Sequence, residues 1–283
     1  MIALRHRGSR QACGRRRLAV GWLFLGLLVN AFLSAPSEAQ SIRKPPPPPG
    51  RDPGGLAIAI LSTGIDYRDP ETARLLARDG EGEIIAWDTI DNDNRPFAPR
   101  GPSPSTGMSG TDIAQLVGGP GRRIVPVRIA EDDPASIGRA LAFVTRTPAS
   151  IILMPTGIRI DWTTLVGPMA FTAARGLLLV VPTASGAQTG GEGLPMLRQM
   201  PGVILAADAD SKGPADRDIL YVSRGDPGST VAGTLAACWD RLAPLPDASG
   251  RKSAFLALVA AQMSGGRDGQ CVPPTVMLRR QAR

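Results

Sequence analysis

At 283 residues the chain is long enough for one large α/β domain or two small ones, and with 43% hydrophobic and 20% charged residues it is not disordered as a whole. The formal charge of +7 is concentrated at the start. Residues 1–39 hold six arginines and one glutamate, which leaves 26 basic against 24 acidic residues elsewhere, a net of +2. So neutral a remainder offers no electrostatic footing for nucleic acid, and that class is excluded.

In chain order, the arginine-rich start leads into the apolar run Leu18–Leu33 and then Ser37-Glu38-Ala39, a small-x-small site before Gln40. This pattern reads as an export signal over residues 1–39, with the mature protein in the periplasm or secreted. The apolar run is 16 residues long, short of the roughly 20 that span a bilayer, so membrane contact is expected only if the signal stays uncleaved. Cleavage removes Cys13 and also His6, the one histidine of the chain. Residues 40–55, with five consecutive prolines at 45–49 and a Gly54-Gly55 end, read as a stiff polyproline linker with a flexible joint.

From residue 56 to 283 one domain is expected. Strands are predicted at Leu56–Leu61, Glu83–Trp87, Arg123–Ile129, Ile151–Met154, Leu177–Val181, Val203–Ala207 and Ile219–Val222. Helices are predicted at Pro70–Arg78, Thr111–Val117, Pro134–Thr147, Thr163–Arg175, Ser229–Leu242 and Ser253–Met263. Strands apolar on both faces and separated by helices indicate a doubly wound parallel sheet covered on both sides, a three-layer α/β domain. Ligands of such domains bind at the carboxyl ends of the strands, where the strand order reverses. Gly186–Gly193 is glycine-rich but has neither a Walker lysine nor a dinucleotide spacing, and reads as a surface loop. Two cysteines remain after the signal, Cys238 and Cys271; they fit one disulfide, and a buried free thiol at Cys238 fits equally.

Several segments, in order, resemble the signature regions of the subtilases, the subtilisin-like serine peptidases. Leu56–Leu61 followed by Ser62-Thr63-Gly64-Ile65-Asp66 resembles the strand that ends in Asp-Thr/Ser-Gly-Ile/Val-Asp, with Ser62 at the triad aspartate. Ser109-Gly110-Thr111-Asp112-Ile113-Ala114 resembles His-Gly-Thr-His-Val-Ala, with Ser109 at the triad histidine. Gly228-Ser229-Thr230-Val231-Ala232-Gly233 resembles Gly-Thr-Ser-Met-Ala-Ala, with Thr230 at the nucleophile. Leu179–Thr183 leads to Ser185 or Gly186 where the family has its oxyanion asparagine. The resemblance implies a subtilisin-like fold and a peptidase-like domain.

It also implies lost chemistry. A hydroxyl nucleophile needs a base to take its proton and a carboxylate to orient that base. Removing the nucleophile or the imidazole from such a triad costs on the order of 10⁶ in kcat. No catalytic residue is therefore expected, and the predicted activity is binding of a peptide or protein partner in the former substrate groove. The alternative is an active serine-type endopeptidase with a non-standard residue set, drawn from Asp112, Ser229, Thr230, Glu71 or Asp79. Ser62, Ser109 and Thr230 are small enough to satisfy their own hydroxyls as caps or in turns. No cofactor is expected; the one metal candidate is calcium at the acidic turn carrying Asp88, Asp91 and Asp93, where solvated Asx turns explain the same residues.

Overall fold

The computed structural model describes residues 44–101, 108–154, 156, 160–183, 193–211 and 218–278. Its sheet is built from β1 (Leu56–Ser62), β2 (Trp87–Asp88), β3 (Arg122–Arg128), β4 (Ala149–Leu153), β5 (Leu178–Pro182), β6 (Val203–Asp208), β7 (Ile219–Val222) and β8 (Val276–Leu278), in the order β2-β3-β1-β4-β5-β6-β7-β8. Every pairing is parallel except β7 with β8. Six of the seven β1 residues are buried, as are all five of β5, which fits strands covered on both faces.

The helices are α1 (Pro70–Leu75), α2 (Gly110–Val117), α3 (Pro134–Val144), α4 (Val166–Ala174), α5 (Gly193–Gln199), α6 (Pro227–Ala237), α7 (Trp239–Leu242) and α8 (Ala248–Met263). The step from β1 to β2 runs one way across the sheet, and those from β2 onward run the other. Packing divides the helices between the faces: α6 lies against α2 and across β4 to β7, whereas α3 meets α4 and α4 meets α8. Val231, Ala232 and Leu235 of α6 are fully buried. The reversal of strand order at β1 puts the crevice of a doubly wound sheet at the carboxyl end of that strand.

The doubly wound α/β architecture is the one read from the sequence, with local differences. The expected strand at 83–87 shortens to Trp87–Asp88, because Ile84 forms an antiparallel bridge with Arg78 instead of joining the sheet. α1 stops at Leu75, since Leu76 turns extended and bridges to Ile124 of β3. The helix expected over 229–242 breaks at Cys238 into α6 and α7. α8 starts five residues earlier than expected, where the Asp247 side chain accepts the Gly250 N–H as its N-cap. α5 and β8 were not anticipated. Among the described residues no helix is long and apolar enough to cross a membrane.

Residues 44–55, read as a free linker, belong to the compact unit that begins at Lys44. They form neither helix nor strand and lie against the domain through polar anchors. The Tyr67 hydroxyl donates to the Pro45 carbonyl at 2.7 Å, Arg78 donates to the Pro48 carbonyl at 2.8 Å, and Asp52 pairs with Arg123. Beneath them Ile65, Tyr67, Leu76, Ile84, Ala86 and Phe97 form a second, smaller apolar cluster.

Cys238 and Cys271 are joined in a disulfide with their Cα atoms 5.3 Å apart, which decides between the two readings of these cysteines. The bond ties the end of α6 to the segment leading into β8, across 33 residues. A loop of that length corresponds to about 3–4 kcal/mol of lost unfolded-state entropy. Urea unfolding of the Cys238→Ala/Cys271→Ala protein is expected to show a loss of that size relative to the oxidised parent.

Candidate active site

β1 ends on Ser62, 3% exposed, and the chain then turns back over itself. The Ser62 hydroxyl accepts the Gly64 N–H at 3.2 Å, so this side chain closes its own turn. Gly110, the first residue of α2, lies so close that a Cβ there would overlap the Gly64 carbonyl oxygen and the Ser62 Oγ. Only glycine allows α2 to start against the end of β1. The start of α2, with Ser109 as its cap, is thereby fixed near the end of β1, and sequence reasoning placed Ser62 and Ser109 at triad positions.

Ser109, 5% exposed, caps α2. Its Oγ accepts the Asp112 N–H at 3.1 Å and donates to Asp112 Oδ2 at 2.7 Å, while Asp112 Oδ2 accepts the Ser109 N–H at 3.2 Å. This is a reciprocal capping box. The bond from Ser109, outweighing burial and helped by Arg100, holds the Asp112 carboxyl below the usual aspartate range. A carboxylate so stabilised is a weak base toward the serine it touches.

Thr230 lies in the first turn of α6, half-buried, with its Oγ1 3.3 Å from where a Cβ on Gly225 would stand. α6 is N-capped by Asp226, whose Oδ2 accepts the Ser229 N–H at 2.7 Å and whose Oδ1 accepts the Thr156 hydroxyl at 3.0 Å. Gly228 sits over Leu153 and Pro182, so α6 begins at the carboxyl ends of β4 and β5. Ser229 is buried, and its Oγ has no hydrogen-bond partner among the described residues. Gly110, next to Ser109, stands against Ser62, and Thr230 is on the helix packed against α2 along the same edge of the sheet. Ser185 and Gly186 lie outside the described residues.

A further layer covers the Ser62–Ser109 corner. Ile65 donates its N–H to Pro96 O and accepts from the Ala98 N–H, so Pro96–Ala98 runs along the turn after β1. Arg100 pairs with Asp112 at 2.6 Å and with Asp69 at 3.8 Å. Asp66, whose N–H donates to Thr111 Oγ1, is held below the aspartate range chiefly by its hydrogen bond from Arg68. Sequence reasoning missed Asp226 and Arg100. The Asp226-Pro227 pair, a capping residue before a helix-starting proline, is a signal that identifies the first; nothing local marks the second.

The acidic turn contains a cation of its own. The Lys44 ammonium stands 2.6 Å from Asp88 Oδ2, 2.7 Å from Asp91 Oδ2 and 3.1 Å from Asp93 Oδ1. Arg128 adds contacts to Asp88 at 2.9 Å and Asp91 at 3.0 Å. Among the described residues no group of three or more His, Cys, Asp or Glu is arranged to hold a metal ion. Burial would raise the Asp88 carboxyl, but the bonds from Lys44, Arg128 and two backbone N–H groups outweigh it and hold the group low. Burial would lower Lys44 in turn, and its three aspartates outweigh that and hold it high.

No protein-family model and no curated protein sequence matches the chain. Solved structures do. A cold adapted subtilisin-like serine proteinase superposes with a TM-score of 0.51 over 83% of this chain and 92% of that one, at 12% identity. Fervidolysin from Fervidobacterium pennivorans, a keratinolytic enzyme related to subtilisin, gives a TM-score of 0.47 at 15% identity, over 74% of this chain and 39% of its own. The chain thus spans about two fifths of the length of fervidolysin. At these identities the likeness is one of fold: the chain has a subtilisin-like α/β fold.

Gly110→Ala is expected to cost about 1–3 kcal/mol, because backbone must move to admit the methyl group; a thermal or urea melt measures it. The depressed carboxyls of Asp88 and Asp112 contribute stability that is full above the ordinary aspartate pKa of 3.8 and is lost as pH falls through their lower folded values. The raised Lys44 contributes below 10.5 and loses its share as pH rises through its folded value. The melting temperature should therefore fall at both extremes, and Asp88→Asn should flatten the acid limb and cost roughly 3 kcal/mol near neutrality.

Proposed function

We propose that this chain is an exported subtilisin-fold protein that does not hydrolyse peptide bonds and that binds a peptide or protein partner along the carboxyl edge of its sheet. The observation that carries this reading is the state of the hydroxyls at the positions resembling a triad. Ser62 closes a turn with Gly64, and Ser109 is consumed in a capping box with Asp112. Among the described residues the Ser62 hydroxyl meets no basic side chain, and the one acceptor carboxylate that Ser109 meets is that of Asp112. The chain has a single histidine, His6, inside the expected signal. An activated serine or threonine needs an imidazole, an amine or a carboxylate of suitable pKa within hydrogen-bond reach. Asp112 meets the distance requirement toward Ser109, but the bonds from Ser109 and Arg100 that hold its carboxyl low make it a weaker base, which weighs against a serine–carboxylate pair as the alternative catalytic set.

The fold supports a binding role. The crevice at the end of β1 is where doubly wound sheets hold ligands, and α2 and α6 frame it with capped, rigid first turns. Export is supported by the basic, apolar and small-x-small order of residues 1–39 and by the Cys238–Cys271 disulfide, which belongs to an oxidising compartment.

Purified protein treated with a fluorophosphonate probe is expected to carry no label, and casein is expected to remain intact from about pH 3 to 10. Labelling at Ser109, Ser229 or Thr230, or cleavage abolished by Thr230→Ala, would establish the alternative.

A further inference from the structure

The proline run at 45–49 contributes nothing to the former active site, yet it is held by a set of groups that resembles a receptor. Prolines lack an N–H, so the hydrogen bonds of such a segment are made only at its carbonyls, with its ends free to add charge. The domain supplies the matching donors. Tyr67 Oη reaches the Pro45 carbonyl at 2.7 Å and Arg78 reaches the Pro48 carbonyl at 2.8 Å. These acceptors are three residues apart, the repeat of a polyproline II helix, whose every third carbonyl lies on one side. With the segment in place both donors are buried, and Arg78 is also held from the domain side by donating to the Gly82 carbonyl at 2.8 Å.

The two ends are read by charge. Lys44, before the prolines, enters the carboxylates of Asp88, Asp91 and Asp93, and Asp52, beyond them, meets Arg123 and accepts the Arg78 N–H. Gly50 lies flat on the Arg78 guanidinium, where a Cβ would stand 2.9 Å from its Nε. The segment joins β1 through Gly54 and Gly55, both at positive φ, and Gly54 has open space around it. Lys44, Pro45 and Pro48 are held by the domain alone, and Asp52 also accepts the N–H of the connecting Gly54 at 2.6 Å.

We propose that the face formed by Tyr67, Arg78, Arg123 and the Asp88–Asp93 turn is a binding site for an extended proline-rich peptide with a leading lysine, and that residues 44–52 are its self-supplied occupant. The occupant competes from a tether of two glycines, at an effective concentration on the order of millimolar, so a peptide in trans gains access only when the tethered segment is weakened.

The test uses the full chain carrying Lys44→Asp, which sets a like charge among the three aspartates and loosens the segment without touching the domain. A fluorescent peptide of residues 41–53 is titrated into this variant and into the parent, with fluorescence anisotropy as readout. The expected result is saturable binding to the variant at least tenfold tighter than to the parent, lost when the peptide carries Lys44→Ala or when the five prolines are replaced by alanine. Absence of binding to a Lys44→Asp protein that still melts cooperatively overturns the proposal, as does equal binding to variant and parent. If Lys44→Asp does not fold, a protease site inserted between Gly54 and Gly55 of the otherwise unchanged chain is cut after folding. The released segment must then exchange with the labelled peptide; a cut segment that never exchanges, or that leaves without the peptide taking its place, also overturns it.

Discussion

The contact between Gly110 and the end of β1 fixes the geometry of everything at the carboxyl edge of the sheet. Because α2 begins with a residue that has no side chain, its first turn can stand against the Gly64 carbonyl and the Ser62 hydroxyl. α2 then provides the surface on which α6 packs, and α6 in turn spans the ends of four strands. Ser62, Ser109 and Thr230 are on one edge as a result of this chain of contacts and not through any bond among the three. A hydroxyl satisfied by its own turn or helix leaves no buried charge to be compensated, so these positions do not weaken the fold.

Much of the architecture was legible because the strands are apolar on both faces. Leu56–Leu61, Leu178–Val181 and Val203–Ala207 have no polar side to confuse with an exposed strand. What failed were segments whose partners decide their state. Ile84 and Ile85 look like strand residues, yet they fold back toward Ala77 and Arg78. Val276–Leu278 is too short to announce itself, and becomes a strand because β7 offers it an edge. Cys238 reads as mid-helix until its disulfide partner is known.

The site was legible in the same uneven way. Ser109 and Asp112 are three residues apart, and such a pair before an apolar helix carries its own capping signal. Arg100, by contrast, reaches Asp112 and Asp69 from a loop with no periodicity. Lys44 is 44 residues from Asp88, so no window on the sequence could connect a lysine beside prolines with an acidic turn. The composition that made residues 44–55 look like a spacer is the absence of N–H groups and apolar period. That absence says nothing about carbonyls, which are the groups the domain uses.

The antiparallel strand β8 closes one margin of an otherwise parallel sheet with only three residues. So short a cover, isolated from the core, would fray and leave the backbone of β7 open to pairing with another chain. The cross-link from Cys238 to Cys271, five positions before β8, holds that cover in place. Reduction of this one bond would therefore loosen the cover of β7 as well as lower stability, and so expose a sheet margin to pairing with another chain.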